Sequence, residues 1–481
     1  VTRDLRLLPA AVLGWCACLT ATRLRPEGVA VLVLAGLAVV VAATARLRTP
    51  QRGRHRRAAP GRAAASLLLT AVVVTVALAW AGARSELRRA TVEPLLRTSV
   101  VATLRIDGEP RRVGDDTLLV RATLAAVEGG TARGVPVLVL ADGSWWEVVV
   151  GSRVQARARV APTAPGDPAG ALLVPHEPPV LLARAPPVAA GVARLRAGLL
   201  RAVEGLDSQA RGLVPGIALG DDRALPVALA EDLRTVSLTH VTAVSGAHVA
   251  MVLGLVMATL VRLPRPWRAG VAGVVLVGLV LLVHPSASVL RSAAMGAVLL
   301  LGLLLARPRA ALPALWTSVL VLLAVDPWLA SSFGFVLSVL ATAGLLLGSG
   351  PLAAWLSRVL PRPLAVALAV PLAAQLACLP ALALLQPRMP VHAVLANTLA
   401  APAVPPATVL GLAATLVAPV SASAAASLAG LAGVATAWVA AVATWCARLP
   451  LATLPWWVAV VAGVVLVAVL VRRRPMSRSA S

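Results

Sequence analysis

LTHVTAVSGAHVAMV, residues 238–252, sets two histidines, a serine and two threonines into an otherwise apolar segment of helix length. A charged side chain at the centre of a membrane helix costs about 2.5–3.5 kcal/mol on insertion scales, and neutral polar groups there still need partners in place of water. The segment is therefore expected to face protein or a cavity, not lipid. Ser245 and His248, three residues apart, share a helix face, while His240 lies two turns outward. At a rise of 1.5 Å per residue, His248 is expected roughly 15 Å below the outer surface. Ala243, Ala247, Ala250 and Gly254 form a stripe of small residues that predicts the close approach of another helix, and so a buried, tightly packed one.

The surrounding composition says why this segment belongs in a membrane. The chain has 481 residues, 59% of them hydrophobic, and a mean hydropathy of +0.87. Apolar runs of near 20 residues recur, as in a polytopic membrane protein. The net charge of +24 comes from arginine alone, since the sequence contains no lysine. A P-loop motor and a Schiff-base enzyme are excluded, because each needs its lysine. Cys16, Cys18, Cys378 and Cys446 all lie in apolar segments, so no disulfide framework is expected in the non-membrane region. The first apolar stretch has no clear small-residue cleavage site and reads as a retained anchor.

Arginine sets the topology. Residues 7–22 and 28–45 read as two spans, followed by RLRTPQRGRHRRAAPGR (46–62), a loop dense enough in cations to belong in the cytoplasm. A third span, 63–82, then leads outward. Further spans are expected at 238–261, 269–283, 286–306, 311–325, 330–348, 364–386, 391–418, 424–447 and 452–471. Alternation places Arg262, Arg265 and Arg268, then Arg307 and Arg309, then Arg358 and Arg362, then the tail RRRPMSRSAS, all inside. The predicted fold is a polytopic α-helical membrane protein of about 12 spans with both termini cytoplasmic. Its parts are an anchor (1–82), an extracytoplasmic β domain (83–187), a surface linker (188–236), a membrane domain (237–472) and a basic tail (473–481).

In the β domain, residues 97–106, 117–127, 135–140, 152–160 and the run ALLV are short β-rich stretches separated by Gly, Pro and Asp turns. Five such strands suit a small OB-like β-barrel, a frequent nucleic-acid platform. Trp145 and Trp146 are candidate base-stacking residues, with packing the plainer role. Arginines and acids nearly cancel between 97 and 184, so this is not a strongly basic groove as a whole. Residues 188–210, with Arg194, Arg196 and Arg201 beside apolar positions, read as an amphipathic helix on the membrane surface. Gly220, Asp221 and Asp222 read as a turn.

Other spans carry polar residues at similar depth. Arg291 lies about one turn inside its helix. Ser331, Ser338 and Thr342 are expected on one face of the next but one, with Asp326 and Pro327 before them. Gln375 is mid-span, and Asn397 precedes a break at Pro402, Pro405 and Pro406. For Gln375 and Asn397, interhelical hydrogen bonding and pore lining are both open. Arg291 calls for a partner or an anionic ligand; Asp326 is either that partner or a helix cap. A Ser245–His248 hydrolytic dyad is the competing reading. No carboxylate or second soft ligand stands at metal-ligand spacing, so neither a metal nor another cofactor is expected, and the chain is not read as an enzyme.

The order HVTAVSGAHV, PSASVLRSAAM, DPWLASSFGFVLSVLATAGL, QLACLP, VLANTLAAP resembles the competence domain of ComEC-family DNA-uptake proteins, from about Leu213 to Pro419. The anchor and small barrel upstream resemble that family's N-terminal layout. The resemblance implies a channel for one strand of DNA across the cytoplasmic membrane. It carries His240, Ser245, Gly246, His248, Arg291, Asp326, Pro327, Ser338, Gln375 and Asn397 over as motif residues, with pore formation and packing both open as their role. Val241 and Thr242 stand where an apolar pair is usual, and Ala247 where a leucine is. The His-x-His-x-Asp-His cluster of the metallo-β-lactamase-like domain that many members carry is absent from this sequence, so no nuclease is expected in it. The implied partners are single-stranded DNA, the lipid bilayer, a cytoplasmic helicase or single-strand-binding protein, and a separate DNA receptor or nuclease; a homo-oligomer fits as well. Uptake of another anionic solute is the alternative transport reading.

Overall fold

The computed structural model describes residues 5–48, 60–114, 116–128, 130–242, 246–284, 287–304, 311–458 and 461. It opens with α1 (Leu8–Ala21), α2 (Pro26–Arg48) and α3 (Pro60–Val92). Pro26 and Glu27 at the start of α2 suit a helix N-terminus, where a proline loses no hydrogen bond and a carboxylate meets the positive end of the dipole. A 3-10 turn, Glu93–Leu95, passes the chain from α3 into the β domain.

That domain contains β1 (Ser99–Ile106), β2 (Arg111–Arg112), β3 (Leu118–Val127), β4 (Gly130–Ala141), β5 (Arg153–Pro162), β6 (Ala171–Pro175) and β7 (Val180–Ala183). The order β1-β3-β4-β6-β5, with β5 pairing back onto β1, closes a five-stranded barrel. The β4–β6 pair is parallel and the other barrel pairs are antiparallel. Strict alternation fills it: Ala102, Leu104 and Ile106 of β1, Val120, Ala122 and Leu124 of β3, Val135, Val137 and Val139 of β4, and Val154, Ala156, Ala158 and Val160 of β5 all point into one core. The five expected strands are the five barrel strands. The short β2 and β7 escaped the sequence reading because two and four residues are too few to show a period.

After the barrel come α4 (Pro187–Ala202), α5 (Ser208–Leu219), α6 (Val227–Thr235), α7 (Thr239–Thr242), α8 (Gly246–Thr259), α9 (Arg265–Val283), α10 (Ala287–Leu304), α11 (Ala311–Val325), a 3-10 turn (Pro327–Ser331), α12 (Phe333–Leu356), α13 (Arg362–Leu385), β8 (Arg388–Pro390), α14 (Ala393–Ala400), α15 (Val404–Val417), α16 (Ala422–Ala447) and β9 (Thr453–Pro455). Among the described residues, six helices are long and apolar enough to cross a membrane: α2, α3, α9, α12, α13 and α16. The pair α14 and α15, bent by 53° at the proline-bearing break, makes a seventh if counted as one span. Four further expected spans appear as the shorter apolar helices α1, α8, α10 and α11. At 1.5 Å per residue the 14 residues of α1 rise only about 21 Å, less than the roughly 30 Å of a bilayer core. By length the described helices therefore give six or seven spans where the sequence predicts about 12, and most of the expected span 452–471 lies outside the described residues.

The chain forms two compact units, Val1–Arg194 with His284–Phe335, and Leu195–Val283 with Val336–Ser481. In the first, α3 packs on α1 and α2. Trp15 donates from Nε1 to the Ala330 carbonyl at 2.9 Å and its ring lies 4.9 Å from that of Phe335. Trp80 donates to the Ala324 carbonyl at 2.7 Å. In the second unit α5 is the central element, packed on α15 and α16.

The surface linker expected over 188–236, with its helix at 188–210, is corrected in two ways. It is divided: α4 ends at Ala202 and α5 begins at Ser208, capped by Asp207, whose carboxylate accepts from the Gln209 and Ala210 amides. And α5 is buried at every position from Gly212 to Leu219. The sequence GLVPGIAL has no polar face to show to water, and its glycines admit close neighbours. A Cβ on Gly212 would lie 2.6 Å from the Leu225 Cα and 2.8 Å from the Ala224 oxygen. Gly220 ends the helix in the left-handed region (φ 70°), as the expected turn requires.

Candidate functional site

Within the second unit, His240 lies on the short α7, exposed, with Nδ1 donating to the Ser237 carbonyl at 3.0 Å. Ser237 itself takes a left-handed backbone (φ 59°) where the chain turns from α6 into α7. Gly246 opens α8 and His248 is buried two residues along it. Ser245 falls outside the described residues, as does Ala243. The expectation that the alanine–glycine stripe packs against another helix is corrected. Ala247, Ala250 and Gly254 are exposed, a Cβ on Gly254 would meet nothing within 4 Å, and α8 buries His248 and Val249 instead.

Ser338 is half-buried on α12, and its carbonyl accepts from the Thr342 hydroxyl at 2.8 Å. Ser331 is not on that helix, as the sequence suggested, but closes the 3-10 turn before it. Gln375 is half-buried in the middle of α13. Asn397 donates from Nδ2 to the Ala393 carbonyl of its own helix at 2.8 Å, so its amide is satisfied within α14 rather than between helices. Around these residues, Val241 of α7, Ala396 of α14 and Val439 to Cys446 of α16 share one apolar cluster with α5 and α6, which brings the His240 and Asn397 helices onto one core.

The first unit holds the rest of the set. Arg291 is buried on α10, with Nη1 on the Met295 sulfur at 3.3 Å and Nη2 on the Ser292 hydroxyl at 3.1 Å. Asp326 caps the 3-10 turn by accepting from the Trp328 amide at 3.1 Å, and the cations in its field are Arg84 and Arg88. It is the cap, then, and not the partner of Arg291. Pro327, buried, occupies the first position of that turn.

The barrel separates the two candidate tryptophans. Trp145 is 0% exposed, the plug of the barrel core, and so is corrected from base-stacking candidate to packing residue. It is placed there by a 3-10 turn (Gly143–Trp145) that Asp142 caps. The Ser144 hydroxyl and amide hold that carboxyl below its usual pKa. Trp146 is 39% exposed with the Arg112 guanidinium 5.8 Å from its ring centre.

One cluster went unseen in the sequence. Arg196 of α4 is buried, donating from Nη1 to the Leu219 and Leu282 carbonyls at 3.1 and 2.9 Å and from Nη2 to Asp221 at 3.5 Å. Asp221, also buried, takes Arg223 bidentately at 2.8 and 2.6 Å. Burial alone would raise the Asp221 pKa; the Arg223 hydrogen bonds and the two guanidinium charges outweigh it and hold the carboxyl below its usual value. The guanidinium of Arg196 thus ties the C-terminal carbonyls of α5 and α9 together, the end of a helix where a cation is favoured. An arginine followed some 25 residues later by Gly-Asp-Asp-Arg was the available signal, but sequence separation hid the contact. Among the described residues no group of three or more His, Cys, Asp or Glu gathers as a metal set, and the four cysteines are free.

A small closed barrel joined to many apolar helices, several long enough to span a bilayer and carrying buried polar residues, is the build compatible with a multi-pass membrane protein that has an appended β domain. Residues 217–476, just over half of the chain, match the family model described as Competence protein, and the chain belongs to that family. Membership indicates a role in DNA uptake for transformation. No curated protein and no solved structure matches the chain.

Proposed function

We propose that the chain is a passive conduit that carries DNA as a single strand across the cytoplasmic membrane. The observation that carries this reading is the family match over 217–476, which coincides with the helices bearing His240, Gly246, His248, Ser338, Gln375 and Asn397 and covers Arg291, Asp326 and Pro327. In this reading the chain crosses the membrane about 12 times, both termini are cytoplasmic, and the barrel, OB-like in strand number and closure, lies outside. The arginine-rich loops support that orientation. So does a feature of the fold: β8 and β9 pair antiparallel, Arg388 with Pro455 and Pro390 with Thr453, and alternation assigns both segments to the outer side. The short helices are accommodated by local thinning of the bilayer, at fractions of a kcal/mol per Å.

Drawing a phosphate inward against an inside-negative potential costs about 2.3 kcal/mol per 100 mV for each charge crossing the whole field. Without a lysine for a P-loop, the conduit depends on an external pull from a cytoplasmic helicase or single-strand-binding partner, with a separate receptor or nuclease outside. The test is DNase-resistant internal DNA in a deletion strain. Uptake should fall to background and return with the wild-type gene; uptake unchanged by the deletion overturns the reading and favours a different anionic solute. Complementation by His248→Ala and Arg291→Ala then asks which buried residues line the path, with normal uptake in both counting against them.

A further inference from the structure

The charges of the barrel nearly cancel in sum, but the pleat sorts them. On β5, Arg153, Gln155, Arg157 and Arg159 point outward, alternating with the buried Val154, Ala156, Ala158 and Val160. β1 runs beside it in a register that sets Arg105 opposite Arg153, Thr103 opposite Gln155, Val101 opposite Arg157 and Ser99 opposite Arg159. Arg105 is 55% exposed, with Asp107 bonded to it at 3.0 Å. Beyond β1, Arg121 of β3 lies against Gly108 with Arg111 close by. The Arg121 guanidinium is held below its usual pKa, first by desolvation and then by the Arg111 charge, with Asp107 acting the other way.

Small barrels of this kind bind oligonucleotides on the face of their second and third strands, here β3 and β4. That face is differently furnished in this chain. The outward positions of β4 are Pro136, Leu138 and Leu140, and β4 packs on α3, so close at the loop after β5 that a Cβ on Gly170 would lie 2.5 Å from Val135 and 2.7 Å from Arg88.

We propose that the β1–β5 face, and not the β3–β4 face, is a docking track for a phosphodiester strand, with Arg153, Arg157, Arg159 and Arg105 on phosphates and Thr103 and Gln155 as neutral hydrogen-bonding groups. This deepens the DNA-uptake reading and rests on it. Outward residues on a strand repeat about every 6.7 Å, so Arg153 to Arg159 covers about 20 Å of path. Guanidinium forks suit phosphate oxygens, and the chain has no lysine to do it otherwise. Serine, threonine and glutamine between the arginines favour a dissolved strand over a membrane surface, which is met by large apolar side chains. The exposed Val180, Leu181 and Leu182 of β7, on the other flank of β5, make anionic lipid the competing occupant.

The full chain in zwitterionic nanodiscs is titrated against a fluorescein-labelled oligothymidylate by anisotropy between 50 and 200 mM salt. Each phosphate neutralised on a single strand contributes about 0.7 to the slope of log affinity against log salt. The variant R153Q/R157Q/R159Q should bind at least about tenfold more weakly at low salt with a slope shallower by about 2. R153K/R157K/R159K, which keeps the charges, should hold the wild-type slope. Affinity and slope unchanged in the glutamine variant, or lost equally in the lysine variant, overturn the track. So does binding of the wild type to anionic vesicles but not to the oligonucleotide. A glutamine variant that binds normally in a strain whose deletion abolishes uptake removes the track alone; a deletion that leaves uptake intact removes the reading beneath it.

Discussion

Replacing Arg196 by methionine keeps the stem that packs along α4 but removes the guanidinium that holds two helix ends. The lost contacts include the two bonds to the Leu219 and Leu282 carbonyls, at 3.1 and 2.9 Å, and the longer one to Asp221 at 3.5 Å. A hydrogen bond from a charged donor contributes about 1.5–3 kcal/mol. Two at the lower end give about 3 kcal/mol, and the third adds little because Arg223 still holds Asp221 bidentately. For a unit of this size that is about 6–12 °C in melting temperature. Asp221→Asn should cost more, about 3–5 kcal/mol, since it leaves two guanidinium groups around a buried neutral amide. The double-mutant cycle discriminates further. Coupling between positions 196 and 221 should stay under about 1 kcal/mol, whereas coupling between 223 and 221 should reach about 1.5–3 kcal/mol. Thermal stability of the full chain in detergent, followed by size exclusion, measures all of these. A melting point for Arg196→Met within about 2 °C of wild type would refute the idea that Arg196 ties α5 to α9.

Gly344→Ala should destabilise by about 1–3 kcal/mol, because the new Cβ would stand 2.5 Å from that of Ala377 and 2.7 Å from the Ala373 oxygen, forcing α12 off α13; a melting curve indistinguishable from wild type would show that the helices yield freely. The lowered Asp221 pKa stabilises the fold above the ordinary carboxylate value of 3.8, and this contribution is lost as pH falls through the lower folded value. The acid limb of stability against pH should therefore flatten in Arg223→Met; an unchanged limb would remove Asp221 as its source. Trp145→Ala should cost about 3–5 kcal/mol as a large cavity in the barrel, while Trp146→Ala should stay within about 1 kcal/mol; chemical denaturation that ranked them the other way would reverse the assignment of plug and surface residue.

The barrel was the most legible part of the chain, because a period of two over eight to twelve residues is a local property and four of the five barrel strands carry it, the fifth being the shorter β6. What closes the barrel, the parallel β4–β6 pair and the return of β5 to β1, is non-local and left no trace in the sequence reading. Apolar helices lie almost segment by segment where hydropathy places them: α1, α10 and α11 fall on the expected 7–22, 286–306 and 311–325, and the expected 238–261 holds the two helices α7 and α8. The linker misled. Arginines at helical spacing look the same whether they meet water, as Arg194 and Arg201 do, or reach across to carbonyls of α5 and α9, as Arg196 does. Small residues were likewise visible on every helix. The stripe singled out on α8 faces outward, while on the helices a Cβ would sit within 3 Å of a neighbour at Gly36, Gly82, Gly198, Gly212, Gly344 and Gly411.

Polar residues in apolar helices carry information only in proportion to what their helix leaves unmet. Most of the hydroxyls here meet their own need: Thr342, Thr398, Thr408 and Thr415 each donate to the carbonyl four residues back, Ser318 and Thr436 to the one three back, and Asn397 does the same with an amide. Such a group costs little at depth and needs no water, so its presence says nothing about a path. An amide like that of Gln375 is different. It carries the same four hydrogen-bonding sites as Asn397, on a stem one methylene longer that reaches further from its own helix. Half-buried in the middle of α13, it is a group that a bilayer tolerates best where a polar partner or water reaches it. In the proposed conduit, Gln375 is accordingly the polar residue of α12 to α15 to test first as path-lining, and the self-satisfied hydroxyls beside it serve as scaffold.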